Sequence, residues 1–129
     1  MRVSSRLETG IVIFAHGSSV DTANDAVRLV AGEVARQGGF ELVEAAFLEL
    51  GEPDLAAAVT RLATRGARRI LIVPYFLTLG VHLQRDLPRL VERIRGVHPS
   101  LEIRVAQPLD GHPWMSQALV DRAREALRR

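Results

Sequence analysis

The sequence predicts a single three-layer α/β domain with a four-stranded parallel sheet, spanning residues 1–129 with its core at about 10–128. Short continuous apolar runs alternate four times with stretches of helical periodicity. Runs of that kind belong to strands covered on both faces, as in a parallel sheet between helices. The composition agrees: 129 residues, 47% hydrophobic and 25% charged, suffice for one real core but not for two domains, and exclude wholesale disorder.

Ile11-Val12-Ile13-Phe14-Ala15 is an apolar run of strand length. Ala26, Val27, Val30, Ala31 and Val34 then repeat at helical spacing until Gln37-Gly38-Gly39 stops them. Residues 40–48 form the second strand candidate. Pro53 fits an early helical position before the stripe Leu55, Ala58, Val59, Leu62, which ends near Gly66. Ile70-Leu71-Ile72-Val73 is the third strand, closed by Pro74. Leu83, Leu87, Leu90, Val91 and Ile94 give a third helical stripe, with Asp86 and Pro88 near its start. Residues 101–106 make a weaker fourth strand, and His112-Pro113 opens a last helix carrying Leu119, Val120, Ala123 and Leu127.

Several function classes are excluded at once. No stretch approaches the roughly 18 apolar residues of a membrane span. The first ten residues include Glu8 and lack the apolar run of a secretory leader, so a cytoplasmic protein is expected. With no Cys there is no disulfide framework, thiolate zinc site or cysteine nucleophile. All 17 basic residues are Arg, interleaved with 15 acids for a net charge of +2. The basic isoelectric point reflects the lack of groups titrating between His and Arg; with no basic stripe, nucleic-acid binding is unsupported.

Right-handed crossovers place all strand-to-helix loops along one sheet edge, where ligands bind. Those loops are residues 16–20, 49–52, 75–84 and 107–112. His16-Gly17-Ser18-Ser19 follows the first strand; free backbone N–H groups there suit an anion, or the polar residues simply cap the next helix. Tyr75-Phe76-Leu77-Thr78-Leu79-Gly80-Val81-His82 is nearly all apolar for an edge loop. It would line a pocket for a flat hydrophobic ligand, lie under a partner subunit, or pack beneath a helix that His82 begins. Glu49 ends the second strand; a carboxylate beside two imidazoles suits a divalent metal or proton transfer, with capping or an Arg pair as the structural alternative. His98 falls on the opposite, solvent-facing edge. His112 reads as a helix-start residue, and Trp114 as a cover for the core.

The ordered set Ala15-His16-Gly17-Ser18, Ala46-Phe47-Leu48-Glu49-Leu50-Gly51-Glu52-Pro53, Gly66-Ala67-Arg68-Arg69-Ile70, Pro74-x-Phe76-Leu77, Gly80-Val81-His82 and Asp86-Leu87-Pro88 closely resembles the short sirohydrochlorin cobaltochelatases and ferrochelatases of the class II chelatases. The resemblance runs from about Ile11 to the last helix. It implies that His16 and His82 are catalytic metal ligands and that Glu49 occupies a recurrent acidic position. Val81 departs from the small residue found in many members.

That resemblance also implies a substrate and an assembly. A divalent metal (Co2+, Fe2+ or Ni2+) enters as co-substrate with no organic cofactor, and the tetrapyrrole is sirohydrochlorin or a close relative. The segment Tyr75, Phe76, Leu77, Thr78, Leu79, Gly80, Val81 would wall the macrocycle, while Ser18, Ser19 and Arg85 receive its carboxylates. A homodimer is expected, because larger chelatases carry two such lobes. Two other readings stand: a non-catalytic metal-binding or metallochaperone domain using the same His pair, and a small hydrolase using His16 and Ser18. The latter lacks both a Gly-x-Ser-x-Gly elbow and an Arg before His-Gly.

Overall fold

Four parallel strands run in the order β2-β1-β3-β4: β1 (Thr9–Ala15), β2 (Leu42–Phe47), β3 (Arg69–Pro74) and β4 (Glu102–Val105). The structure is a computed structural model that describes residues 8–129. Residues 1–7, most of the ten-residue stretch on which the expectation of no secretory leader rests, lie outside the described residues. The helices are α1 (Asp21–Gly38), α2 (Leu55–Thr64), α3 (Val81–Val97) and α4 (Pro113–Leu127). The predicted three-layer α/β architecture and strand count are what the structure has.

β1 is buried at every position, which explains its unbroken apolar run. Val12 and Phe14 join Ile70, Ile72 and Ile103 under α2 and α3, meeting Leu55, Val59, Leu62, Leu87, Val91 and Ile94. Ile11, Ile13 and Ala15 face the other way, onto Ala31 of α1 with Ala45 and Phe47. Period-2 alternation thus splits one strand between two cores.

The strand order places the site. The chain leaves β1 toward β2 on one side, then crosses back to β3 on the other. The carboxyl ends of β1 and β3 therefore flank the topological switch point, where open parallel sheets leave a crevice. His16 follows β1, and the segment 75–80 follows β3.

Five expectations need correction. Pro53 precedes Asp54, the N-cap of α2, and so lies outside the helix rather than in its first turn. α3 starts at Val81, with Gly80 as its N-cap, so His82 stands in its first turn and the edge loop ends at Gly80. Pro88 consequently lies inside α3 rather than near its start. Trp114 is 77% exposed and covers no core. No residue of α4 is buried, and its apolar stripe, including Leu119 and Leu127, faces outward. Periodicity reports that a helix has an apolar face; it does not say what that face meets. The fifteen residues of α4 satisfy their own backbone without touching the core of this chain.

Candidate active site

The β1–β2 ladder continues past the strands into the loops. Leu48 N–H donates to Ala15 O at 2.9 Å and Glu49 N–H to His16 O at 3.1 Å, which brings His16 and Glu49 side by side. Gly17 permits this approach. It sits at φ +94°, and a Cβ there would stand 1.7 Å from the Glu49 carbonyl oxygen, so no other residue fits. His16 Nε2 lies 3.6 Å from Glu49 Oε2, with both side chains more than half exposed. Its Nδ1 lies 3.3 Å from the Gly17 carbonyl; a proton held there leaves the Nε2 lone pair for a metal or a proton.

On the β3 side, Tyr75 N–H donates to Phe14 O at 2.7 Å, turning the chain over the end of β1. Phe76 then stands edge-on to Phe14 and His16, with ring centroids 6.0 and 6.5 Å away. Gln84 Nε2 donates to Leu79 O at 2.8 Å and anchors the first turn of α3. His82 Nδ1 lies 3.0 Å from Arg85 Nη2. A guanidinium only donates, so His82 Nδ1 is the acceptor in this contact.

His16 and His82 line one cavity of about 370 Å³, with Leu48, Phe76, Thr78, Gly80, Val81, Leu83 and Asp86 completing its wall. Its lining is mostly apolar apart from the two imidazoles and Asp86. The other candidates are placed differently. Leu79 lines a separate groove along α3 and β4, while Tyr75 and Leu77 are exposed beside the cavity. Arg85 turns toward His82 and Asp86, 3.7 Å from the latter. Ser19 is exposed, and Ser18 Oγ accepts from Val20 N–H at 3.0 Å rather than meeting His16. His98 caps the far end of α3 and is half-buried, 3.0 Å from Thr60 Oγ1, rather than facing solvent freely. His112 is the N-cap of α4, as expected. Among the described residues, no three His, Asp or Glu side chains converge as a ready-made metal cage.

One residue that organises the site escaped the sequence reading. Asn24 is 4% exposed. Its Oδ1 accepts from Ser18 N–H at 3.0 Å, and its Nδ2 donates to Ser18 O at 2.8 Å and Leu50 O at 2.9 Å. It thereby ties the His16 loop to the Glu49 loop and holds Leu50 in the left-handed region at φ +57°. A polar residue on the inward side of an amphipathic first turn was the available signal. Leu48 and Asp86 also join the cavity; Asp86 lies four residues after His82 and so shares its helix face.

With this fold and this histidine pair, the molecule falls among the α/β domains that handle a ligand at the carboxyl edge of a parallel sheet. Residues 10–126 match the CbiX family model, and the chain belongs to the CbiX family. It is 32% identical to the sirohydrochlorin cobaltochelatase of Methanopyrus kandleri, over 91% of this chain and 96% of that one. It also superimposes on the cobalamin (vitamin B12) biosynthesis CbiX protein of Marinobacter aquaeolei VT8 with a TM-score of 0.83 at 32% identity, covering 94% and 98% of the two chains. The sirohydrochlorin chelatase SirB of Bacillus subtilis, in complex with cobalt, gives a TM-score of 0.73 at 26% identity; the match takes in 80% of this chain but 44% of SirB.

Proposed function

We propose that this chain is a metal chelatase that inserts a divalent ion, cobalt or iron and in principle nickel, into sirohydrochlorin or a close relative. The observation that carries the reading is the single apolar-walled cavity onto which both His16 and His82 open. Insertion requires the metal to lose water and two pyrrole N–H protons to leave as the metal binds the four ring nitrogens. Neutral imidazoles are borderline ligands for these metals and proton acceptors near neutrality. His16 is the natural acceptor for both protons in turn, since a proton arriving on Nε2 lands 3.6 Å from the Glu49 carboxylate, and the exposure of both side chains lets it pass to solvent before the second arrives. His82, whose Nδ1 accepts from Arg85, is the natural metal donor once that hydrogen bond is released. Phe76, Thr78, Gly80 and Val81 offer a face for the macrocycle, with Tyr75, Leu77 and Leu79 around it. Ser18, Ser19 and Arg85, outside the cavity lining, are the groups we assign to receive its carboxylates.

We further propose a homodimer. A flat macrocycle seated on this cavity keeps its other face open, and SirB is matched over less than half its length, as one lobe of a two-lobed cleft would be. The outward apolar stripe of α4, together with half-buried Leu71 and Val73 on the sheet, supports self-association. A Cys-free chain has no need of an oxidising compartment, and no described helix is long and apolar enough to cross a membrane. We place its work in the cytoplasm.

The test is metal insertion: anaerobic incubation with Co2+ or Fe2+ and sirohydrochlorin, followed by the shift in tetrapyrrole absorbance. Turnover supports the chelatase. Tight metal binding without turnover would replace it with the metallochaperone reading. The hydrolase reading is disfavoured by Ser18 Oγ, which is engaged with Val20 N–H rather than His16.

A further inference from the structure

α3 carries four arginines, and their partners differ. Arg85 is engaged by His82 and Asp86. Arg95 is engaged by Glu92 and the Ile103 carbonyl. Arg89 and Arg93 have no hydrogen bond or ion pair among the described residues. Of these two, Arg93, exposed on α3, borders the groove toward His98 and lines a cavity of about 250 Å³ whose other walls are Phe14, Phe47, Leu48, Leu55, Ala56, Leu90 and Asp54.

This second cavity adjoins the histidine cavity, because Leu48 lines both. Helical geometry orders them: His82, Asp86 and Arg93 recur at intervals of four and seven residues and share one face of α3 with Arg89, which lines neither cavity. A guanidinium without a counterion among Phe, Leu and Ala side chains is an anion site in waiting, strongest for a carboxylate taken in bidentate fashion. The one acid in the wall, Asp54, is committed: as N-cap of α2 it accepts from Ala57 N–H at 2.8 Å. The ligand that fits has a broad apolar body for the walls and a carboxylate on a short arm.

We propose that Arg93 is a specificity-determining residue that binds a peripheral carboxylate of the tetrapyrrole, selecting carboxylate-rich macrocycles and setting how the ring turns over His16 and His82. The proposal rests on the chelatase reading above.

The experiment measures apo-tetrapyrrole binding by absorbance titration without metal, then KM and kcat for insertion. Wild type, Arg93→Ala, Arg93→Lys and Arg89→Ala are compared on sirohydrochlorin and on a porphyrin with only two carboxylates. Arg93→Ala is expected to weaken sirohydrochlorin binding and raise KM by about tenfold, the worth of one charge-assisted hydrogen bond, with kcat within about twofold. Its affinity for the dicarboxylate porphyrin stays unchanged. Lysine recovers part of the loss, and Arg89→Ala, an equal change in net charge, leaves both ligands unaffected. Unaltered sirohydrochlorin binding in Arg93→Ala, or equal weakening for both tetrapyrroles, overturns the proposal while leaving the chelatase reading standing. Wild-type chain that neither binds nor metallates sirohydrochlorin overturns both.

Discussion

His16 stands beside a carboxylate and His82 beside a guanidinium, and their substitutions are expected to read out accordingly. His16→Ala and His82→Ala should each lower insertion by about a hundredfold or more, the range of a lost acid–base or ligand group. Circular dichroism melts should stay near wild type, because both side chains are exposed and neither belongs to the buried clusters. Glu49→Gln should cost less, since it removes the charge next to His16 while keeping an oxygen there. His98→Ala, at the far end of α3, is the control and should leave turnover unchanged. Near-normal turnover in both cleft variants would sink the mechanism, and a comparable loss in His98→Ala would sink the placement.

Between elements, Asn24 is the hinge pin of the site. Asn24→Asp keeps the size and the acceptor but replaces the amide that donates to Ser18 O and Leu50 O. About 1–3 kcal/mol of stability should go with the unsatisfied carbonyls, and turnover should fall further than the melt alone explains, because the His16 and Glu49 loops lose their shared anchor. Equal Tm and equal activity would show that the β1–β2 ladder suffices without it. A second effect at this scale is the pairing of β3 with β4. The Arg69 guanidinium, with Arg104 beyond it, holds the Glu102 carboxyl below the usual carboxylate range. A lowered value in the folded state means that this stabilisation is present above the ordinary carboxylate range and disappears as pH falls through the lowered value. Melts of Glu102→Gln against wild type should therefore differ at neutral pH, begin to narrow near about pH 4 and converge only below the lowered value. A gap that persists in acid would remove the assignment.

At the scale of the molecule, α4 is the element without a home. A helix with no buried residue, and only Met115 and Glu125 half-buried, gains little from packing within its own chain, and one of this length is marginal alone. Leu119→Glu with Leu127→Glu should shift the chain toward monomer in light scattering. The β-sheet core should melt as before, since neither residue contributes to it. An active wild-type monomer at working concentration would refute the dimer.

The four βα units, the parallel sheet and the edge on which the ligand sits were legible because apolar run length and helical periodicity are local properties. His16 and Glu49 were legible as edge residues for the same reason, since His16 directly follows β1 and Glu49 stands two residues past the end of β2. What lies across the chain was not. The switch point between β1 and β3 depends on strand order, which no local pattern encodes. Asn24 matters only because Ser18 and Leu50, twenty-six residues away for the latter, are folded against it. Likewise, α4 reads as an ordinary amphipathic helix until the finished core leaves it outside. Sequence determines which surfaces each element must bury or pair, and tertiary structure decides which partners are within reach, because hydrogen bonds and burial are settled by distance in space.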